Sequence, residues 1–444
     1  MPAFVDEPAR RVELFDEVDV LVVGGGPAGI AAAVSAARLG ARTLLLERYG
    51  FLGGMGTAGG VTNFAGLYGR RGGQMQPLVR GVVDELLERI DRLGGLNQPQ
   101  DGMQGRIRVR SYDIPVYKIA ADQMLLAAGV GLLFHAWAVA VLPRDARHID
   151  AVIVETKSGR RAVRAREFID ASGDADVAAL AGVPFELGDG AGSALYPSTM
   201  ARFGNVDAER ALAAVGEFKA IDRLMNEAAA AGRWQFPRQG AILRPQRNPR
   251  EWRANVTQLA NAQGLAVDAT DARQLSAAEV EGRRQVSEYL RFLRAEVPGF
   301  EAAELTDLGT QVGVRETRRI QGAYALSGED VLGGARFDDS IGLNCWPMEV
   351  HAAGRIDWQF PRDADNAYNQ LPYRMLLPQG VDNLHVAGRC ASMQHLGQSA
   401  ARASGACFVM GQAAGTAAAL RLRGALDATM LKAALRRDGV ELDD

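Results

Sequence analysis

The sequence predicts an α/β fold, and three stretches carry that prediction. Residues 18–47, VDVLVVGGGPAGIAAAVSAARLGARTLLLE, read as strand, glycine turn, helix and second strand. Residues 129–176 add apolar strands, a hairpin and a strand that ends in small residues. Residues 384–422 supply another apolar strand, a second small-residue turn and a long helix rich in alanine and glycine.

In the first stretch Val18, Val20, Leu21, Val22 and Val23 form a short apolar run suited to a buried parallel strand. Gly24, Gly26 and Gly29 follow in Gly-x-Gly-x-x-Gly spacing. Gly24 permits a tight turn, Gly26 lets backbone approach a pyrophosphate, and Gly29 lets the helix pack closely on the strand. The helix is predicted from about Pro27 to Leu39, with proline where a missing N–H does no harm and Gly40 at its end. Its first turn, with Pro27 and Ala28, would face phosphates. Leu44 to Leu46 make the second strand, and Glu47 stands where a carboxylate can accept hydrogen bonds from a ribose diol, with Arg48 beside it. A glycine turn alone is weak evidence; strand, helix, second strand and terminal acid together make it a dinucleotide site. The unit does not separate FAD from NAD.

Composition sets outer limits. A chain of 444 residues, 48% hydrophobic and 23% charged, can form two or three domains with ample core, and it should be soluble. A net charge of −3 gives no basic footprint for nucleic acid, and no long run of like charge suggests a membrane surface. The three cysteines, Cys345, Cys390 and Cys407, include no Cys-x-x-Cys pair, which argues against a disulfide framework, an iron-sulfur cluster or a dithiol motif. A reducing, cytoplasmic location is expected. The first 17 residues are polar and lack a signal-peptide core, and the apolar stretch at Val18 is broken by glycines and a proline, against membrane insertion.

After Glu47, residues 50–73 are dense in glycine, including Gly54 before Met55, which lets backbone press on a flat ligand. A helix is expected over residues 78–93, a mobile loop over 94–105 and a helix over 118–128. One or two strands follow over 129–142, then a hairpin whose arms are 149–156 and 161–168. The strand ending at Asp170 runs into Ala171, Ser172 and Gly173, a turn able to lie against a cofactor. Residues 207–298 read as helical and charged. No motif recurs at a fixed period.

Four runs resemble a known family: YDIPVYKIAADQMLLAAGVGLLFHAWAVAV, ETKSGRRAVRAREFIDASGDADVAALAGVPFE, VGVRETRRIQGAYALSGEDVL and NLHVAGRCASMQHLGQSAARASGACFVMGQAAGTAAAL. They are similar to FAD-dependent oxidoreductases within the glutathione-reductase-like flavoproteins, with the flavoprotein subunits of succinate dehydrogenase and fumarate reductase as more distant relatives. The resemblance covers roughly residues 18–205 and 309–422. It implies FAD as cofactor and a discontinuous Rossmann-like FAD-binding domain, residues 1–195 and 375–444, with residues 196–374 inserted as an α+β substrate or cap domain. On this pattern the FAD contacts are Gly24, Gly26, Pro27, Ala28, Gly29, Glu47, Arg48, Gly54, Met55, Ala138, Val139, Ala171, Ser172, Gly173, Gly388, Arg389, Gln398 and Ser399. Arg389 stands where many relatives carry an acid, which leaves a direct carboxylate contact to the ribityl hydroxyls in question. The helix from Ala403 to Leu422 would bring its positive end near the flavin.

Candidates for the chemistry are His395, Arg315, His351 and Arg402. Among Arg315, Arg318 and Arg319, one reading is a clamp on an acidic substrate and the other a structural ion-pair group with Glu316 or Asp330. In a strand, Arg315 and Arg319 would share one face and Arg318 the other. His395 follows the turn at Arg389 and is the first choice as acid, base or donor, with His351 second; either can instead be a buried structural histidine. His385 reads as structural and His148 as exposed. Cys390 can be a packed thiol, a reactive one or a flavin link. No metal-ligand spacing occurs. The run from Gly188 to Gly192 follows no buried strand and makes no second dinucleotide turn.

The expected function is hydride transfer between a small organic substrate and flavin N5, with an unidentified electron donor or acceptor. The alternatives are a flavin monooxygenase or halogenase, and an electron-transfer subunit with no substrate pocket. A homodimer is compatible with the sequence.

Overall fold

The computed structural model describes residue 5, residues 7–215 and residues 219–443. The expectations for residues 1–4, 6, 216–218 and 444, in the polar N-terminal stretch, the helical charged stretch and the C-terminal end, lie outside these.

The parallel sheet forms around the glycine turn. Strand β1 (Glu13–Val23), helix α1 (Pro27–Arg38) and strand β2 (Thr43–Glu47) are the first βαβ unit, and β1 and β2 pair in parallel. Helix α2 (Ile114–Ala127) leads to β3 (Gly131–Phe134), which pairs in parallel with β2. Residues 129–142 thus contain two strands, since β4 (Trp137–Asp145) starts a meander through β5 (His148–Thr156) to β6 (Gly159–Asp170). β6 returns in parallel to β1, with Val23 level with Asp170 and Leu46 level with Val23. The ends of β1, β2 and β6 therefore open on one edge of the sheet, where ligands of such sheets bind. β1 begins earlier than its apolar run because the hairpin arm of β6 supplies a partner as far as Glu13; Leu14 and Phe15 remain exposed there.

Two stretches differ from expectation. In place of a mobile loop over 94–105, Gln100–Gly102 pairs with Ile107–Ser111, and Met103 and Gln104 turn the chain at positive φ. Residues 207–298 are only partly helical. They contain β8 (Ile242–Pro245) and β9 (Trp252–Asn255), which join β7 (Ala201–Gly204) and β10 (Glu304–Leu308) in an antiparallel sheet of order β8, β9, β7, β10. All four residues of β9 are buried, so it lacks the polar alternation that marks a half-exposed strand. The helix α3 (Ala272–Glu296) contributes Val286, Tyr289 and Phe292 to the apolar cluster beside this sheet.

Beyond it lies the hairpin β11 (Met348–Ala352) and β12 (Arg355–Gln359). The chain then returns to the first sheet as β13 (Leu384–Val386), parallel to β6. A short helix α4 (His395–Ala401) precedes α5 (Ser404–Arg421), which lies against α1. This last contact is made by backbone. A Cβ on Gly411 would sit 2.0 Å from the Ala28 carbonyl oxygen, and one on Gly415 2.0 Å from that of Ala32. Among the described residues no single helix is long and apolar enough to cross a membrane.

Gly411→Ala should therefore destabilise the protein by about 1 to 3 kcal/mol through overpacking. Urea unfolding measures it, and an unchanged midpoint would mean that α1 and α5 separate at no cost.

Candidate functional site

A continuous cavity of about 880 Å³ runs from the glycine turn after β1 to the inner face of the second sheet. Its first end is built by glycines with different jobs. Gly24 lies at φ +104°, and a Cβ there would meet the Ala171 carbonyl at 2.4 Å. At Gly29 a Cβ would come 1.7 Å from the Gly24 carbonyl oxygen, so this residue allows close packing and does not line the cavity. Gly26 has open space, its nearest neighbour being Gly54 Cα at 3.7 Å, and borders the cavity. Helix α1 carries no side-chain cap. Its first N–H groups are thus available to an anion such as a pyrophosphate.

Glu47 is buried beside this turn. Its Oε2 accepts from the Gly25 N–H at 2.7 Å and its Oε1 from the Tyr49 N–H at 3.0 Å. Burial raises its pKa against these bonds. A carboxylate oxygen can accept more than one hydrogen bond, so both retain capacity for a ribose diol. Across the edge, Asp170 accepts from Ser172 N–H and Oγ and from Ala178 N–H, which fixes the turn at Ala171 to Gly173. Burial raises Asp170 as well.

Asp174 ties three loops together. It accepts from Arg389 Nη2 at 2.6 Å and Thr317 Oγ1 at 2.9 Å, and pairs with Arg48 at 3.5 Å. Burial works to raise its pKa, but Arg389 and Arg48 hold it below the usual carboxylate range. The Arg389 guanidinium thus turns onto Asp174 and the Val314 carbonyl. Its neighbour Asp176, which lines the cavity, is pushed up to about 6 by burial and by Asp174.

The far end is cationic. Arg238, Arg253, Arg315 and Arg402 line it together with Glu349, His351 and Trp346. Arg315 is buried and donates from Nη1 to the Tyr196 carbonyl at 2.7 Å and Ser198 Oγ at 2.9 Å. Arg402 donates to the Glu349 carbonyl at 3.2 Å, and its guanidinium lies 3.8 Å from the Glu349 carboxylate. Glu349 also accepts from Trp346 Nε1 and bonds His351 Nε2 at 3.0 Å. A carboxylate only accepts, so Nε2 carries the proton and Nδ1 is left as the basic atom of a neutral ring. Burial and the charge of Arg315 push His351 well below its ordinary value. Burial would raise Glu349, yet it is held below the carboxylate range by His351, Arg402 and Arg315. With His351 neutral, the two arginines are the cations that keep it ionised.

The sequence candidates divide on this geometry. Gly24, Gly26, Pro27, Ala28, Glu47, Arg48, Gly54, Met55, Ala138, Ala171, Ser172, Gly173, Gly388 and Arg389 line the cavity, as do Arg315, His351 and Arg402. Val139, Gln398 and Ser399 do not. Gln398 is buried and braces the loops by donating to the carbonyls of Arg315 and Arg389. Ser399 is turned onto the Leu396 carbonyl. His395, the first choice for proton transfer, lies off the cavity and pairs with Glu316 at 3.0 Å. Glu316 also pairs with buried Arg319, which is held by the Met393 and Gly188 carbonyls, while Arg318 pairs with Asp176. The structural alternative thus holds for Arg319 through Glu316, and Arg318 is ion-paired with a carboxylate outside the expected pair, Asp176. Asp330 is not their partner; it caps a helix through Ser327. Only Arg319 of the three is in a strand, so the expected alternation does not arise. Cys390 is buried off the cavity with its thiol pushed well up by burial, whereas Cys407 lines it. Arg238, Arg253 and Glu349 escaped the sequence reading. Glu349 had a usable signal, since it sits two residues from His351 on the same strand face.

Fold and cavity define an α/β protein with a dinucleotide site. The chain belongs to the FAD dependent oxidoreductase family, whose profile matches residues 19–437. It is an oxidoreductase that uses FAD. It is 31% identical over 139 residues to thiamine thiazole synthase from Methanococcus vannielii, covering 31% of this chain and 41% of that protein. It is 54% identical over 45 residues to dihydrolipoyl dehydrogenase from Trypanosoma brucei brucei, covering 10% of this chain and 9% of that one. Among solved structures, a geranylgeranyl bacteriochlorophyll reductase-like protein from Thermoplasma acidophilum aligns over 96% of this chain and 84% of its own, with 13% identity and a TM-score of 0.48. The uncapped α1 N-terminus, the open edge of Gly26 and the placement of Glu47 fit the FAD dinucleotide.

Glu47→Ala should weaken FAD retention by about 1 to 3 kcal/mol, read by FAD titration of apoprotein; unchanged affinity would remove the ribose assignment. A pH effect follows from the buried histidines. His385 in β13 bonds the Tyr373 hydroxyl at 2.8 Å and is pushed to about 3 by burial. The unfolded chain protonates this ring near pH 6.5, the folded chain does not, so its stability contribution is complete above about 6.5 and is lost on acidification by about 1.4 kcal/mol per pH unit. Urea unfolding between about pH 4 and 7 should show a shallower slope in His385→Gln, and an equal slope would rule this histidine out as its source.

Proposed function

We propose that this oxidoreductase transfers a hydride between a small organic substrate and FAD, with residues 196–374 acting as the substrate or cap region. The supporting observation is the cavity itself. It continues past the dinucleotide end into a chamber walled by Arg238, Arg253 and Asn255 of the cap sheet region and by Arg315, Glu349 and His351. An electron-transfer subunit has no need of such a chamber.

Bound FAD would supply a two-electron centre able to give or take a hydride. The chain's own residues do the rest. The α1 N-terminus and Glu47 hold the dinucleotide, and the Asp174 network keeps Arg48, Arg389 and Thr317 in register around it. Glu349 fixes the ring of His351, leaving Nδ1 to take or return a substrate proton. Arg402 and Arg315 stabilise the ionised Glu349 and so keep that tautomer in place.

The reading is tested by mixing FAD-loaded protein anaerobically with a metabolite panel and following bleaching of the flavin spectrum. Protein that never retains FAD, or oxygen uptake with NADPH coupled to an oxygenated product, would count against it. With a substrate found, His351→Gln should slow flavin reduction by about 10² to 10⁴ at unchanged FAD content; a normal rate would reject its role.

A further inference from the structure

We infer that the cap end of the cavity is a binding site for a small organic anion carrying at least two carboxylate or phosphate groups, held by Arg253, Arg315 and Arg402. This rests on the proposed hydride-transfer reading and names its substrate class.

Charge balance is the first argument. Arg238, Arg244, Arg253, Arg315 and Arg402 all line this end, and the carboxylates of described residues there are Glu349 and Asp222. Glu349 acts on Arg238, Arg253, Arg315 and Arg402, Arg315 is opposed by the other three, and Arg244 acts on Arg253. Arginine keeps its proton in proteins, so among the described residues the positive charges of this buried chamber outnumber the negative ones. Leaving buried charge unpaired is strongly unfavourable, and a dianion entering from solvent removes that penalty.

Donor geometry is the second argument. Arg253 is 4% exposed, yet its Nε has no partner and its Nη2 has only the Met200 sulfur at 3.7 Å. The Asn63 amide can present its oxygen to Nη1 at 3.3 Å. Arg402 Nε is likewise buried without a partner. The contrast with Arg319 is direct, because that buried arginine is closed off by Glu316 and two carbonyls. Forked guanidinium donors left open in a cavity match the planar carboxylate and the phosphate alike.

Position is the third. The dinucleotide phosphates have their own site at the α1 N-terminus beside Gly26, whereas Arg253 is carried by β9 of the second sheet and Arg315 is bonded to the Tyr196 carbonyl and Ser198. Burial lowers the pKa of Arg253, Arg315 and Arg402, and the charge of Glu349 opposes that shift at all three.

The test titrates FAD-loaded protein at fixed ionic strength with acetate, succinate, citrate and glycerol 3-phosphate, reading the flavin spectrum and the thermal midpoint. Succinate, citrate or glycerol 3-phosphate should bind at least about tenfold more tightly than acetate, with the succinate and phosphate arms telling which oxyanion fits. Arg253→Gln and Arg402→Gln should each weaken that binding by about tenfold or more while FAD content stays the same. Without anion, Arg253→Met should raise the thermal midpoint, since it relieves unbalanced charge; a purely structural arginine would lower it. Equal affinity for acetate and the polyanions, no response to any of them, or unchanged affinity in both Gln variants overturns the proposal. Protein that holds no FAD would sink the cofactor-based reading alone, because the thermal midpoint still reports the anion site.

Discussion

The structure depends on a contact that no side chain could make. Helix α5 presses on α1 through Gly411 and Gly415, whose missing Cβ atoms leave room for the carbonyls of Ala28 and Ala32. Ala28 also meets the turn at Gly388, 3.3 Å from where a Cβ there would stand. The first and last parts of the chain are thereby clamped at the depth of one backbone. That is why α5 is so rich in alanine and glycine and why nearly all of it is buried. Interiors packed at crystal density leave such a contact no slack.

From this clamp the cavity follows. The parallel register brings Val23, Leu46 and Asp170 to one edge, and β13 sets Val386 beside Asp170 on the same edge. Three turns therefore converge where the dinucleotide end opens. Buried polar groups hold them: Asp170 within its own turn, and Asp174 among Arg48, Thr317 and Arg389. At this wall charges are paired and hydrogen-bonded, so geometry is fixed before any ligand arrives. At the opposite wall the guanidiniums outnumber the carboxylates. The same low-dielectric surroundings that strengthen the first network make the second incomplete without a ligand.

The contrast between His351 and His395 shows what chain position can hide. His395 follows the flavin-side turn directly in the chain, yet it pairs with Glu316 off the cavity. His351 lies in a hairpin far along the chain, but β11 carries it and Glu349 into the cavity. Gln398 is polar and follows the same turn as His395, and its amide is engaged by two backbone carbonyls.

The sequence by itself determined the βαβ unit, the hairpin that follows it, the late strand and helix, and through them the α/β fold. These signals are local: glycine spacing, apolar runs and turn residues act over a few positions. It also marked most residues lining the dinucleotide end, because that end is made of turns with their own signatures. Tertiary structure decided the rest. β9 has no alternation to read, since both its faces are buried. Which arginines meet a carboxylate and which are left facing the chamber depends on how segments distant in the chain are brought together, and a guanidinium in a sequence carries no mark of its partner.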